Sequence, residues 1–150
     1  MRLWHYGILE ALPELQLRSQ WRECVAIAKD LHETGGFTHH LLINRIMSYN
    51  KEDFNAYCYL VYSAMVKRGL APKGSSIMKL HEYTGFVPNE KMYVFDNLYA
   101  DWHNKEYLRI CYANLFEKHK YGVGKSRITD EEWQRLLDGY KNITGEEYVI

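Results

Sequence analysis

The sequence predicts an all-α fold, a compact single-domain bundle of five or six helices with one long irregular loop. Three observations carry that prediction. Apolar residues recur at three- and four-residue spacing over most of the chain, strand-type alternation is nearly absent, and capping residues, glycines and prolines fall between the periodic stretches. A length of 150 residues with 47% hydrophobic content suits one core.

The first long helix is predicted from Pro13 to Glu33, with proline in its first turn and Gly35-Gly36 as its stop. Leu17, Trp21, Cys24, Ala28 and Leu31 trace its buried stripe, leaving Arg18, Ser19, Arg22 and Glu23 on or near the outward side. Glu23 stands about 200° around the helix from Trp21, so it is expected to face water or a partner. Thr38 caps a second helix through Met47. Asn50, followed by Glu52 and Asp53, opens a third that ends at Gly69 and turns Phe54, Tyr57, Val61 and Met65 inward.

Residues 71–90 contain two prolines and two glycines and read as an irregular connection with one short helical turn around Ile77 to Glu82. A helix is expected from about Glu90 to Ala100. Another runs from Asn104 to His119, with Leu108, Tyr112, Leu115 and Phe116 inward. Thr129 and Glu132 form a capping-box signature for a last helix to about Tyr140. Only Tyr148-Val149-Ile150 has extended character.

Nineteen basic and nineteen acidic residues cancel, so no global field favours nucleic acid. Their distribution is uneven: residues 128–150 hold two basic and six acidic side chains, which leaves 17 and 13 in the body. Cys24, Cys58 and Cys111 are odd in number, lack C-x-x-C spacing and lie in apolar patterns, which fits a reducing cytosol and no disulfide framework. Without an 18-residue apolar run or a signal-peptide layout, a cytoplasmic location is expected.

His39-His40 with Cys24 or His32 suggests a metal, but adjacent helical histidines diverge by about 100° and no H-E-x-x-H follows. No metal is therefore expected. Gly122-Val123-Gly124-Lys125-Ser126 looks like the tail of a phosphate loop, yet His119 occupies the position of the leading glycine and a helix precedes it where that loop needs a strand. The stretch 118–127 is nonetheless the most basic of the chain. Its Lys120, Tyr121 and Lys125 suit a grip on a phosphate chain, or an ordinary solvated loop.

The chain start carries the sharpest signal. Arg2 is too bulky for removal of an initiator methionine, so Met1 is expected to keep its amine. A backbone amine titrates well below a lysine ammonium, and far more of it is the free nucleophile at neutral pH. Gln16-Leu17-Arg18-Ser19-Gln20-Trp21-Arg22-Glu23 then supplies arginines able to grip phosphate and one carboxylate.

Met1-Arg2 with Gln16-Leu17-x-x-Gln20-Trp21-Arg22-Glu23 resembles the pyrimidine-dimer DNA glycosylases of the phage endonuclease V type, and closer still a bacterial branch that begins Met-Arg-Leu-Trp-His. Arg2, Arg22 and Glu23 match the family's arginine after the N-terminal amine and its Arg-Glu pair. The match is good over residues 1–24, weaker at Val66-Lys67-Arg68-Gly69-Leu70, and limited beyond residue 71 to the aromatic, basic Lys120-Tyr121-Gly122. Two departures stand out: the phage-type amine belongs to a threonine, where this chain has Met1, and a further family arginine is Ala26 here.

The resemblance implies a glycosylase with AP lyase activity, in which the Met1 amine attacks C1′ of a damaged nucleotide and Glu23 is the catalytic carboxylate. Arg2, Arg22, Arg18, Gln16, Lys120, Tyr121 and Lys125 would contact damaged double-stranded DNA. It implies a monomer that needs no metal or other cofactor. A non-catalytic nucleic-acid-binding domain and a helical interaction domain are the alternatives.

Overall fold

In a computed structural model the chain is described over residues 1–34 and 40–150, and among them every regular element is helical. The α-helices are α1 (Glu14–Glu33), α2 (Leu41–Met47), α3 (Lys51–Lys67), α4 (Gly74–Thr84), α5 (Lys105–Lys120) and α6 (Asp130–Thr144). Single-turn or two-turn 3-10 segments lie at Tyr6–Ala11, Glu90–Met92 and Gly124–Ser126. None of the described helices is long and apolar enough to cross a membrane.

α1 is the hub, packed on α2, α3 and α4. The Tyr6–Ala11 turn is wedged between α3 and α6, and α5 lies against α6. Leu17, Trp21, Cys24 and Ala28 are buried as the helical spacing requires, as are Phe54, Tyr57, Val61 and Met65 of α3. All three cysteines are buried free thiols. The Thr129 hydroxyl accepts from the Glu132 amide at 3.1 Å while the Glu132 carboxylate accepts from the Thr129 amide at 2.9 Å, completing the capping box of α6. The expected stop at Gly35-Gly36, the Thr38 cap and His39 fall outside the described residues.

Two expectations between residues 71 and 104 are corrected. α4 is a full helix over Gly74–Thr84 rather than one turn, because its glycines are punctuation: Gly74 is its first residue and Gly85, at φ 76°, its left-handed stop. It is tied to the core by the Trp21 indole donating to the Ser76 hydroxyl at 2.8 Å and by Asn55, whose amide donates to the Thr84 backbone carbonyl and whose oxygen accepts from the Thr84 hydroxyl, each at 2.7 Å. Conversely, the helix expected over 90–100 is one 3-10 turn followed by an irregular segment. Asn97 and Tyr99 take φ of 61° and 51°, incompatible with a right-handed helix, and burial of Leu98, Tyr99, Trp102 and His103 offsets that backbone cost.

Residues 2–5 form no regular structure, and the backbone of residues 2–7 is satisfied by side chains from four other places and by His5 itself. From α1, the Gln20 carboxamide accepts from the Trp4 amide at 2.7 Å and donates to the Arg2 carbonyl at 3.0 Å, as a neighbouring strand would. From α3, the Tyr57 hydroxyl donates to the Trp4 carbonyl at 2.6 Å. From α5, the Tyr107 hydroxyl donates to the Leu3 carbonyl at 2.6 Å. From the turn before α5, His103 Nδ1 accepts from the Tyr6 amide at 3.0 Å, and His5 Nδ1 accepts from the Gly7 amide at 3.0 Å.

Buried carbonyls in this clasp are costly to strip of their donors. Tyr57→Phe leaves the Trp4 carbonyl without its hydroxyl, and urea denaturation should show a loss of about 1–3 kcal/mol.

His5 and His103 stack at 5.3 Å, and both must stay neutral to accept from backbone amides. Burial lowers His5 from 6.5 to about 4, against a raising bond with the His103 backbone. Burial, then the charges of His5 and Arg45, lower His103 to about 3. The unfolded chain therefore binds more protons than the folded one between pH 6.5 and these values, so stability is complete above the unfolded value and falls on acidification. Thermal melts should give a Tm that is flat near pH 7–8 and drops as pH falls from 6 to 4. His103→Asn, which keeps an acceptor but does not titrate, should flatten the profile.

Candidate active site at the chain start

Gln20 has no exposed surface, and its oxygen and both hydrogens of its nitrogen are engaged. Its oxygen takes the Trp4 amide and lies 3.0 Å from the Tyr57 hydroxyl. Its nitrogen donates one hydrogen to the Arg2 carbonyl and the other to a Glu23 carboxylate oxygen at 3.2 Å. The reversed amide would set an oxygen against both a carbonyl and a carboxylate, so the orientation is dictated by its partners.

One amide nitrogen thus binds the catalytic carboxylate candidate and the second residue of the chain together. Met1 is 60% exposed, and its amine lies within two residue lengths of the Arg2 carbonyl, at most ~7 Å of chain. Glu23 is half-buried rather than freely solvated. The reason is that α1 is covered on a second side, by the chain start, where the buried residues Gln16 and Gln20 are polar and so fall outside the apolar stripe.

The arginines around this point differ in posture. The Arg2 guanidinium lies 5.2 Å over the Trp4 ring. Burial raises the Tyr107 phenol and the Cys111 thiol above their ordinary values, and the Arg2 charge opposes both, which puts that guanidinium near α5. Arg22 is exposed on α1 and donates to the Ser19 hydroxyl at 3.0 Å. Arg18 is exposed too, but paired with Glu14 at 2.9 Å one turn earlier. Gln16 is 8% exposed, so little of it is left for DNA to touch.

Lys120, Tyr121 and Lys125 are exposed but distant from this cluster. Tyr107 near the start of α5 holds Leu3, and Lys120 at its end lies about 20 Å further along the axis. The Lys120 ammonium sits 5.9 Å from the Tyr121 ring. The neighbouring glycines have structural work: a Cβ at Gly122 would come within 2.3 Å of the Lys118 carbonyl oxygen, and Gly124 has φ 61°.

Two concavities lie elsewhere, one lined by Ile77, His81, Phe86 and Pro88, the other by Leu31, Tyr49, Phe54 and Tyr83; neither touches Met1, Arg2 or Glu23. Among the described residues no group of three or more histidine, cysteine or acidic side chains is placed to hold a metal.

Gln20, Tyr57, Tyr107 and His103 were not legible as site residues. Their bonds to the chain start span 16 to 97 or more positions, and no local spacing announces them.

The chain matches no curated protein and no solved structure. A family model described as pyrimidine dimer DNA glycosylase matches residues 1–78, just over half of the 150. That span contains Met1, Arg2, Gln20, Arg22, Glu23 and Tyr57, whereas Tyr107 and the basic segment lie beyond it. A match of this extent, falling on the residues that surround the buried Gln20 amide, means that the chain belongs to the pyrimidine dimer DNA glycosylase family.

Proposed function

We propose that this chain is a DNA glycosylase with AP lyase activity, acting on damaged double-stranded DNA through the Met1 amine and the Glu23 carboxylate. The observation that carries the proposal is the shared Gln20 nitrogen, which couples the Glu23 carboxylate to the carbonyl of the residue next to the amine.

In this reading the unprotonated amine attacks C1′ of the damaged pyrimidine nucleotide. The N–C1′ bond forms as the glycosidic bond breaks, and the base leaves with its electron pair and a proton. The new ammonium passes that proton to the departing base, and the nitrogen lone pair then opens the C1′–O4′ bond, O4′ taking a proton from water, to give an iminium joined to the sugar. Glu23, which first balances the cationic sugar, then removes a C2′ proton, and the electron pair moves to expel the 3′ phosphate. Water hydrolyses the conjugated imine and returns the amine. Successive use lets one carboxylate serve both steps.

Arg2 and Arg22 would hold phosphates beside the lesion, and Arg18 would join them on exchanging Glu14 for phosphate. Lys120, Tyr121 and Lys125, about 20 Å along α5, would reach flanking backbone, a span shorter than one duplex turn of about 34 Å.

Borohydride should trap a covalent adduct between Met1 and an abasic-site duplex, located by peptide mass mapping. Glu23→Gln should cut strand cleavage by at least about a hundredfold while leaving duplex affinity within a few-fold. A peptide fused ahead of Met1 should remove the adduct; cleavage by the fused protein at the unmodified rate would overturn the nucleophile assignment.

A further inference from the structure

The arginines of the described residues sort by what their guanidinium groups hold. Arg18 and Arg127 lie against the carboxylates of Glu14 and Asp130. Arg68, Arg109 and Arg135 donate to the carbonyls of Leu12, Val149 and Glu10 and so close the fold. Arg2, Arg22 and Arg45 belong to neither group: among the described residues no carboxylate forms an ion pair with any of them. Two of these three are already placed at the chain start. The third, Arg45 on α2, carries no sequence signal of its own.

Arg45 is exposed, and its guanidinium lies 4.9 Å over the buried ring of Trp102. Among the described residues it also meets the Tyr49 hydroxyl, which in turn donates to Asp101 at 2.7 Å. The one carboxylate in that chain of contacts is therefore engaged by a phenol. A guanidinium stacked on an indole is held in place before any ligand arrives and keeps its N–H edge for two parallel bonds to an oxyanion. Arg2 over Trp4 has the same construction.

The two stacked arginines share a neighbourhood. The Trp102 ring stands 5.9 Å from the Tyr107 ring, and the Tyr107 hydroxyl is bonded to the Leu3 carbonyl. The charges of Arg2 and Arg45 both reach Tyr107, opposing the rise that burial causes in its phenol. Arg45 is thus linked to the chain start by two rings and one hydrogen bond, on elements that do not include α1.

We infer that Arg45, held over Trp102, is a further phosphate-binding residue of the same DNA site, taking a backbone phosphate near the one held by Arg2. The inference rests on the glycosylase reading. It extends the grip from the chain start and α1 onto α2 and the turn before α5.

The test is fluorescence anisotropy with a labelled duplex carrying a tetrahydrofuran abasic analogue, titrated at several KCl concentrations. Arg45→Gln and Arg45→Met should each weaken binding about tenfold and reduce the slope of log K against log salt by about 0.9, the signature of one lost phosphate contact. Arg45→Lys should keep the slope. Circular dichroism melts check the fold of each variant, and the exposed position provides two neutral replacements should one fail. Unchanged slope in the neutral variants, with or without a change in affinity, overturns the inference while an Arg22→Gln loss of slope leaves the glycosylase reading standing. Absence of salt-dependent binding by the unaltered chain overturns both.

Discussion

A single buried carboxamide organises the start of this chain. Without Gln20, the Arg2 carbonyl and Trp4 amide would face α1 with no partner, and Glu23 would lose its bond to the covered side of the helix. Because its oxygen and both nitrogen hydrogens are committed, the group acts as a gauge: it sets the spacing between the first residues and α1 and ties the Glu23 carboxylate to the same side. Helix α1 supplies the rigid mount. Its apolar stripe against α3 and α4 is fixed independently, so the polar side that meets the chain start does not need to find its own position.

The parts legible in the sequence are those with local causes. The stripe of α1, the inward side of α3 and the capping box of α6 each depend on residues within a turn or two of one another, and the structure has them where periodicity and capping put them. The segment 71–104 was misjudged in both directions for a related reason. Glycine next to proline reads as a break, yet Gly74 and Gly85 mark the two ends of α4. Residues 90–100 read as a helix, but their course is decided by side-chain contacts, among them the Tyr93 hydroxyl bonded to both the amide and the carbonyl of Val87.

The site divides along the same line. Arg2, Arg22 and Glu23 stand in a recognisable order, and Gln20 links Glu23 to the Arg2 carbonyl, while Gln16, from the same quoted stretch, is buried. Nothing in an apolar pattern distinguishes a polar residue facing water from one facing a second covered surface, and α1 has both kinds. Lys120, Tyr121 and Lys125 are as exposed as their composition suggests, but their distance from the chain start follows from the length of α5.

The clasp around residues 2–7 also has a temporal meaning. Leu3 and Tyr6 are held in place by Tyr107 and His103, which are synthesised about a hundred residues after them. A nascent or truncated chain that stops short of them therefore carries residues 2–7 and α1 without part of the scaffold that holds the two together. Closure of the clasp waits on the arrival of α5.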